Sequence, residues 1–359
     1  MVLAIIIAFI SLIGLIVLHE FGHFIIAKRF GVEVEEFGIG YPPRIFGKKI
    51  GETIYSLNLL PFGAFVKIQG EIGGIESARS FSGKPIWQRA LIVLAGVISF
   101  WIISAILFSI VMGLGAPTAI SDEENENLIN PKVQISAIAS GSPAEIAGLK
   151  VGDAIKQLTI GNLQLTINKV KEAQEFTSLH KGEEITLTIE RGKEIFTTSL
   201  VARASPPAGE GPMGVALTRT AIVNYPWWEA PLQGIKATAN LTQAIIQGYW
   251  QAITNIIKGL PSGVQMMGPV GVFSLFTQVN QLGINYFLQF VGMIAIYFAI
   301  FNILPIPAVD GGKLLFLGIE AIRKKPVSPK VEQNITTFFF SLLILLMIFV
   351  TIKDVMRIF

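Results

Sequence analysis

Four long runs of residues without a formal charge most constrain how this chain can fold. The first covers residues 1–18 and resumes over 21–27, and the others cover 90–121, 259–309 and 333–352. A helix of about 20 apolar residues is long enough to cross the roughly 30 Å hydrocarbon layer of a bilayer. Only 15% of the 359 residues are charged, whereas an ordinary soluble chain has about 25%. The sequence therefore predicts an integral membrane protein.

The third run is too long for one membrane span. Its first part contains Pro261, Gly263 and Pro269, which break helices. The spanning helix is therefore predicted near residues 284–304, with re-entrant or interfacial structure before it. The first run has neither the basic residues nor the cleavage site of a signal peptide, so we expect it to be retained as a helix. Four transmembrane helices result.

The basic residues predict the orientation of these helices. Lys and Arg accumulate on the cytoplasmic side of short loops, and they are concentrated between spans one and two and between spans three and four. Both loops are therefore predicted to be cytoplasmic, with the N-terminus and the segment between spans two and three on the opposite side. The basic residues are Lys28, Arg29, Arg44, Lys48, Lys49, Lys67, Arg79, Lys84 and Arg89 in the first loop, and Arg323, Lys324, Lys325 and Lys330 in the second.

The segment between spans two and three is predicted to contain a soluble α+β or barrel-like module. Polar or Pro/Gly-rich linkers, DEENEN from Asp122 and SPPAGEGPMG from Ser205, surround it. Alternating runs at 184–190 and 195–201, with Arg-Gly-Lys between them, predict a β-hairpin.

One helix is visible from its boundaries, and a second from its periodicity. Ser142 and Pro143 predict a helix start, and Gly148 predicts its end. Residues 225–258 place apolar side chains at helical spacing and include Trp227, Trp228 and Trp250, a residue type enriched at membrane surfaces. We predict an interfacial helix there; the alternative is an ordinary buried helix of the soluble module.

The stretch HEFGH near the end of the first run indicates a metal-dependent hydrolase. On a helix, His19 and His23 lie one turn apart on the same face and can bind one ion. Glu20 can accept a proton from a water molecule that the ion activates, which is peptide hydrolysis without a covalent intermediate. The alternative is a histidine pair that packs within a helix core. Glu20 is the only formal charge among the first 27 residues, and such a costly position at membrane depth favours function.

A catalytic zinc site needs three protein ligands and one open position. The chain has no cysteine, and its third histidine, His180, lies far away in the soluble module, where we expect a surface residue. Asp310, in NILPIPAVDGG, is the candidate third ligand because two prolines break the helix before it and two glycines let the backbone turn after it. The alternative is an ordinary N-cap aspartate for a helix over 314–323. Spans one and three both run inward in the predicted topology, so the two halves of the site would meet on the same side.

Three features occur together. They are HEFGH in span one, NILPIPAVDGG after span three, and SPAEIAGLKVGDAI over 142–155, which resembles the PDZ signature within a module at 131–203. With the PDZ-like module inserted between spans two and three, they together resemble the site-2 protease family of intramembrane zinc metalloproteases, in particular its bacterial RseP/RasP-type members with a single PDZ domain. Residues 19–43 and 57–71 add to the resemblance, the latter being similar to the family's membrane-associated β-structure.

The resemblance implies a mainly α-helical membrane protein with about four transmembrane helices, a membrane-associated β-hairpin region and an inserted α+β PDZ domain. It implies that His19, His23 and Asp310 ligate Zn²⁺ and that Glu20 is the general base. Asn302 matches a family asparagine that holds the substrate backbone or supports the oxyanion; a helix-helix hydrogen bond is its alternative. The implied enzyme is a zinc metalloendopeptidase that cleaves single-span membrane proteins, such as anti-sigma factors or signal-peptide remnants, within or near the span.

The implied partners are the lipid bilayer, the membrane substrates, and peptide or protein termini at the PDZ domain, which could instead be a spacer that limits access by size. The implied location is the bacterial inner membrane, with the active site toward the cytoplasm and the PDZ domain outside. Four domains are expected. Residues 1–121 contain spans one and two, the HExxH motif and the β region, and residues 122–210 form the PDZ domain. Residues 211–283 contain the interfacial helix and the re-entrant segment, and residues 284–359 contain spans three and four.

One departure from the family concerns substrate binding. The family's second span usually begins with Gly-Pro-x-x-Asn, whereas this chain has Gly96, Val97 and Phe100 at the glycine, proline and asparagine positions. We expect metal binding to persist, and substrate positioning to depend on other groups, with Ser99 as one candidate. Edge addition of the substrate to the predicted hairpin near 63–66 would hold it extended.

Other functions are less compatible with this chain. The net charge is only +3, without a long basic run, so nucleic acid is not an expected partner. A proteolytically inactive PDZ-bearing scaffold would require the zinc ligands to be vestigial. A metal transporter would be expected to show internal repeats and several polar groups at the membrane midplane.

Overall fold

The computed structural model describes residues 2–71, 77–123, 129–207, 209–260, 262 and 267–358. Pro261, Gly263, Ala208 and residues 124–127 of the DEENEN linker, all part of sequence predictions above, lie outside the described residues. The chain divides into two compact units. The first comprises Met1–Phe108, Gly234–Ser274 and Val291–Phe359, and the second comprises Ser109–Gln233 and Leu275–Phe290.

The described residues form helices and strands in the following order along the chain. They are α1 (Val2–Arg29), β1 (Val34–Ile50), β2 (Thr53–Ile68), α2 (Ile86–Leu114), β3 (Ala116–Ala119), β4 (Ile129–Ile138), α3 (Pro143–Ile146), β5 (Ala154–Ile160), β6 (Leu163–Thr166), α4 (Val170–Leu179), β7 (Glu184–Arg191), β8 (Glu194–Val201), β9 (Val215–Val223), α5 (Ala230–Ile257), α6 (Pro269–Leu282), α7 (Ile284–Ile303), α8 (Asp310–Arg323) and α9 (Pro329–Ile358).

Four helices among the described residues are long and apolar enough to cross a membrane. This agrees with the four predicted spans, and the protein is an integral membrane protein. The third span begins and ends within one residue of its predicted limits. The candidate spans are Ile5–Arg29, Ile86–Leu114, Ile284–Ile303 and Pro329–Met356.

The second span ends seven residues earlier than its uncharged run. Gly115 has a φ of +108°, a conformation that ends the helix. The apolar residues after it form β3, which belongs to a sheet. Absence of charge therefore marked an apolar region correctly but could not distinguish a helix from a buried strand.

The predicted helix at 225–258 is present as α5. Within the first unit, Ile245 of α5 packs in a core cluster with Phe108 of α2 and with Ile296 and Ile300 of α7. The Trp101 indole also donates a 3.2 Å hydrogen bond to Thr242 of α5. The alternative of a helix buried in the soluble module is therefore wrong for this part of α5, which packs against spanning helices.

The two long strands β1 and β2 form a sheet of four strand segments. Phe37 of β1 pairs with both Val66 and Tyr55 of β2, and Tyr55 also pairs with Lys48. Each strand therefore bends back on itself, and the segments lie in the order 44–50, 53–58, 34–41 and 64–68. Segment 64–68 is an edge of this sheet, and it lies beside α1.

The second unit has a seven-stranded antiparallel sheet. Its strand order is β3-β9-β4-β5-β7-β8, with β6 paired to β5. The predicted hairpin is confirmed as β7 and β8, with Gly192 at a φ of +62° in the turn. The predicted helix start is also confirmed, because Ser142 accepts a hydrogen bond from Glu145 N as N-cap of α3. Strands β3 and β9, at one edge of the sheet, were not predicted as strands: β3 lies in the second uncharged run, and β9 lies in the region 211–283 predicted to hold the interfacial helix and the re-entrant segment.

The core of this unit lies between the sheet and α4. Its buried side chains include Leu158, Leu187 and Phe176, the last of which comes from α4. Nearby, the buried Asp153 carboxylate accepts two 2.7 Å hydrogen bonds from Arg191. The unit is therefore an α+β module, as the alternating runs predicted.

Candidate metal centre

Three side chains of the first unit converge, two from α1 and one from the first turn of α8. His19 Nε2 and His23 Nε2 are 3.2 Å apart, and Asp310 Oδ2 lies 3.3 Å from the first and 3.4 Å from the second. Bonds of about 2.0–2.1 Å in a tetrahedral zinc site separate neighbouring ligand atoms by about 3.3–3.4 Å. The three atoms thus already have the mutual spacing of three ligands on one ion.

The surroundings of these atoms also fit a metal ion. Both histidines are 7% exposed. Asp310 Oδ2 is buried and has no hydrogen-bond partner among the described residues, although two imidazoles face it. A buried carboxylate oxygen without a partner is unfavourable unless an ion or water satisfies it. Two imidazole nitrogens and one carboxylate oxygen are ligands that zinc prefers in hydrolases.

Helix α2 holds both histidine rings in place. His23 Nδ1 lies 2.8 Å from the Ile92 carbonyl oxygen, the kind of contact that fixes the ring of a metal-binding histidine. Phe100 stacks on His19, with ring centroids 4.6 Å apart and planes inclined by 15°. Phe100, one of the departures noted in the sequence analysis, therefore packs on a histidine ring in this chain.

Glu20 is held by the sheet edge. Its Oε2 accepts a 3.1 Å hydrogen bond from the backbone N–H of Val66 in β2. Because Val66 directs its N–H toward Glu20, that amide points away from the neighbouring segment of β1. The carboxylate therefore has a fixed direction next to the first histidine.

A tight loop delivers Asp310 to the histidines. The N-cap of α8 is Val309, and Asp310 is the first residue inside the helix. The alternative of an ordinary N-cap aspartate is therefore wrong. A Cβ on Gly311 would lie 2.0 Å from the Leu304 carbonyl oxygen, and one on Gly312 would lie 2.3 Å from Pro307 Cα. The two glycines are required because the loop after α7 folds directly over the first turn of α8.

Three polar contacts fix α8 in the first unit. Arg89 of α2 forms a bidentate ion pair with Glu320, at 2.9 and 2.5 Å. Lys313 donates to the Glu71 carbonyl oxygen at 2.7 Å and pairs with Glu332 of α9 at 3.0 Å. Burial raises the pKa of the Glu71 carboxyl, and the nearby Lys313 opposes that rise. These contacts connect the Asp310 helix to three other elements.

Two glycines are essential to the site and were not identified from the sequence as such. A Cβ on Gly96 of α2 would lie 2.1 Å from His23 Nε2, so only glycine leaves room for the ring. A Cβ on Gly22 would lie 2.2 Å from Ser99 Oγ and 2.5 Å from the Ala95 carbonyl oxygen. Gly22 thus allows α1 and α2 to approach closely beside the histidines. Small residues at such crossings are a recurrent feature of membrane helices.

We expect Gly22→Ala to reduce both folded stability and peptidase activity, because its methyl group would force α1 away from α2. Overpacking of this kind costs about 1–3 kcal/mol. Gly14→Ala, on the same helix, is the matched control because a Cβ at Gly14 meets no atom within 4 Å. Thermal unfolding in detergent and reporter cleavage should both distinguish the two variants. Equal behaviour would contradict the role given to this helix crossing.

Other candidate residues lie outside the cluster of three ligands. Asn302 donates from Nδ2 to the Phe298 carbonyl oxygen of its own helix at 2.9 Å. Ser99 likewise donates to Ala95 O at 2.8 Å. His180 lies in the second unit as the C-cap of α4, where its ring is 3.3 Å from Glu183 Oε1. His180 therefore lies in a different unit from His19 and His23, and it is also far from them in the sequence.

Comparison with known proteins gives the same class of enzyme. Residues 7–346 match Peptidase family M50. A Clostridium perfringens protein is 33% identical over 355 residues, which cover 98% of both chains. The zinc metalloprotease RasP of Oceanobacillus iheyensis is 29% identical over 444 residues, and the regulator of sigma-W protease RasP of Bacillus subtilis is 28% identical over 443 residues; in both, 99% of each chain is covered.

The family match covers nearly the whole chain, including all three converging side chains, the second and third candidate spans and most of the first and fourth. The chain belongs to peptidase family M50 and is an integral-membrane zinc metalloendopeptidase of the site-2 protease type.

Proposed function

We propose that this protein cleaves single-span membrane proteins within or near their transmembrane segment, with His19, His23 and Asp310 as the zinc ligands. The observation that carries the proposal is the convergence of these three ligand atoms at 3.2–3.4 Å from one another, because the two histidines lie within the first candidate span and Asp310 follows shortly after the third. A hydrolytic centre within spanning helices is reached most directly by a substrate that is itself in the membrane.

Glu20 is proposed as the general base. Zinc, when bound, would act as a Lewis acid that polarises the substrate carbonyl group and makes a water molecule more acidic. Glu20 takes up the proton of that water and passes it to the leaving amine, and the Val66 N–H keeps its carboxylate oriented between the two events. Phe100 and the Ile92 carbonyl oxygen prevent the two imidazoles from rotating. The apolar residues around the site limit competing water.

The edge segment 64–68 is proposed to hold the substrate extended. A substrate helix has its peptide groups in internal hydrogen bonds and must unwind before hydrolysis. Alternate residues of a strand direct their amides to the same side, so Ala64, like Val66, directs its N–H away from β1. No other strand among the described residues pairs with that side. An extended substrate can therefore add there as a further strand, next to Glu20.

Ala64→Pro should slow cleavage of a membrane reporter by about 2–10-fold, the equivalent of one backbone hydrogen bond worth about 0.5–1.5 kcal/mol. The matched control is Ala64→Ser, which keeps the N–H at the same position. Initial rates at several reporter densities in liposomes provide the measurement. If proline and serine at this position gave the same rate, strand addition at this edge would be excluded.

Asn302 is proposed to contact the substrate backbone or the developing oxyanion through its amide: one N–H of Nδ2 donates to the Phe298 carbonyl oxygen, and the second N–H of the same nitrogen is the donor for an oxyanion. Residues 122–210, which lie in the second unit, are proposed to form a single PDZ domain that binds extended peptides or protein termini; the other proposed domains are 1–121, 211–283 and 284–359. The strand-rich sheet of the second unit and the helix α4 packed on it support the PDZ assignment.

The proposed location is the bacterial inner membrane, with the metal centre toward the cytoplasm and the PDZ domain outside. The basic residues between spans one and two and between spans three and four support this orientation. The name of the Bacillus subtilis relative links that protein to regulation of sigma-W. Anti-sigma factors and signal-peptide remnants are accordingly the proposed substrates of this chain.

Metal removal tests the proposal. The purified protein should contain about one zinc ion, lose cleavage of a single-span reporter after chelation, and regain it when zinc is restored. A soluble peptide of the same cleavage sequence should be a much poorer substrate than the membrane reporter. Cleavage that survives zinc removal would refute the metal mechanism, and equal use of the two substrates would refute the intramembrane one.

A further inference from the structure

The outer edge of β9 is only half covered. On its inner side β9 pairs with β4 along the length of the strand. On its outer side β3 pairs with Thr220–Val223 alone. Residues 215–218 of this edge face no other strand among the residues that the structure describes. Helix α4 also contacts β9.

The residues that follow α2 cover the other half. We call residues 116–123 the strap. Beyond β3, Ile120 N donates to the Arg219 carbonyl oxygen at 2.9 Å, and Arg219 Nη1 donates to the Ser121 carbonyl oxygen at 3.1 Å. The strap therefore runs antiparallel to β9 and approaches its uncovered half.

The strap then crosses to α4. The Asp122 carboxylate accepts hydrogen bonds from Val170 N at 3.0 Å and Lys171 N at 2.9 Å, the first amides of that helix. These N–H groups have no partner inside the helix, and a carboxylate there is favoured by the helix dipole. One end of the strap is thus paired to β9 as a strand, and the other is bound at the helix terminus. It spans the space that a peptide added along the whole β9 edge would have to occupy.

We propose that the strap is an internal ligand that an extended peptide segment of another protein displaces from β9. This inference rests on the proposed peptide-binding function of the second unit and adds a competition to it. The incoming segment would pair first with residues 215–218, in the antiparallel direction that β3 already uses, and then replace β3. The uncovered half of the β9 edge continues directly into the half that β3 covers. The ligand that fits the whole edge is therefore an extended polypeptide.

This competition sets a minimum affinity and concentration that a peptide must reach before it displaces the strap. A tethered strand competes at an effective concentration of roughly millimolar, so a weak or sparse peptide does not displace it. Displacement also frees Asp122 from α4 and releases the residues immediately after α2, which ends at Leu114. Peptide binding at β9 thereby changes the connection to a spanning helix.

A disulfide that locks the strap tests the proposal. Ile120 and Arg219 form a hydrogen-bonded pair, so Ala119 and Thr220, one step along the ladder, form a non-hydrogen-bonded pair. Cα atoms in such pairs are about 4.5 Å apart, within the range that a disulfide accepts. The chain contains no cysteine, so Ala119→Cys with Thr220→Cys introduces a single bond at this position.

The probe is a fluorescein-labelled peptide with the sequence of residues 116–123, added to the full-length protein in detergent. A Glu20→Gln background prevents hydrolysis. We expect the oxidised cysteine pair to bind the probe at least about 10-fold more weakly than the same protein after reduction, since only the reduced strap can leave β9. A scrambled peptide should bind neither form. Equal binding by the oxidised and reduced forms would overturn the proposal.

A second variant releases the strap instead of locking it. Asp122→Ala removes the carboxylate at α4 and should tighten probe binding about 5-fold or more relative to the wild type, because the internal competitor is weakened. The matched control is Glu175→Ala, which removes an equal charge from the exposed face of α4 and should change nothing. No gain in Asp122→Ala would contradict the strap's role. Neither measurement depends on peptide cleavage, so their failure leaves the proposed protease function standing.

Discussion

Glu20→Gln should abolish measurable cleavage while the protein keeps its zinc. Glutamine is nearly the same size and can still accept the hydrogen bond from the Val66 N–H through its carbonyl oxygen. It cannot take up a proton, and a general base contributes about 100- to 10,000-fold to the rate. Single-turnover cleavage of a single-span reporter in liposomes, together with metal analysis of the same sample, gives both quantities.

A shorter carboxylate side chain at position 20 distinguishes the need for a base from the need for its exact position. Glu20→Asp retains a base but draws it back from Val66, so we expect a rate between those of the wild type and Glu20→Gln. Cleavage by Glu20→Gln at the wild-type rate would exclude Glu20 as the base. Loss of zinc in that variant would instead assign Glu20 to metal binding.

Asp310→Asn should release the metal. The neutral amide is a weaker ligand than a carboxylate, and two histidines remain where a catalytic zinc site uses three residues. Loss of a supporting contact to a ligand already lowers metal affinity by about 10- to 100-fold, so loss of a ligand itself should lower it by more than about 100-fold. Competition with a fluorescent zinc chelator measures this directly, and activity should fall in parallel.

Asp354→Asn is the control for this change. Asp354 is another buried aspartate of the first unit, and its Oδ2 accepts a 2.8 Å hydrogen bond from Gly271 N. The exchange alters a buried carboxylate in the same unit without touching the three clustered residues, so zinc affinity should be unchanged. Wild-type affinity in Asp310→Asn would remove Asp310 from the ligand set.

The sequence predicted the features that depend on local spacing. His19 and His23 are four residues apart, so any helix places them on one face, and α1 does so. Asp310 was identified by the prolines before it and the glycines after it, and these residues build the loop that carries it to the histidines. Each of the four apolar runs likewise overlaps one of the four candidate spans.

Contacts between distant residues could not be predicted in this way. Glu20 and Val66 are 46 positions apart, and their hydrogen bond exists only because β1 and β2 fold back into four segments. The clash that excludes any side chain at Gly96 depends on the packing of α2 against α1. The end of the second span was misplaced for a related reason, because the apolar strand β3 is buried by β9 rather than by lipid.

The hydrogen bond from Val66 to Glu20 has a consequence for where a substrate is cut. A strand that adds beside Val66 must keep the two-residue alternation of the sheet, because a shift by one residue would turn every side chain to the opposite face. A bound substrate can then shift along the sheet edge only in steps of two residues. Where a membrane substrate is cleaved at more than one bond, the fragments should differ by even numbers of residues, which mass spectrometry of the products can read.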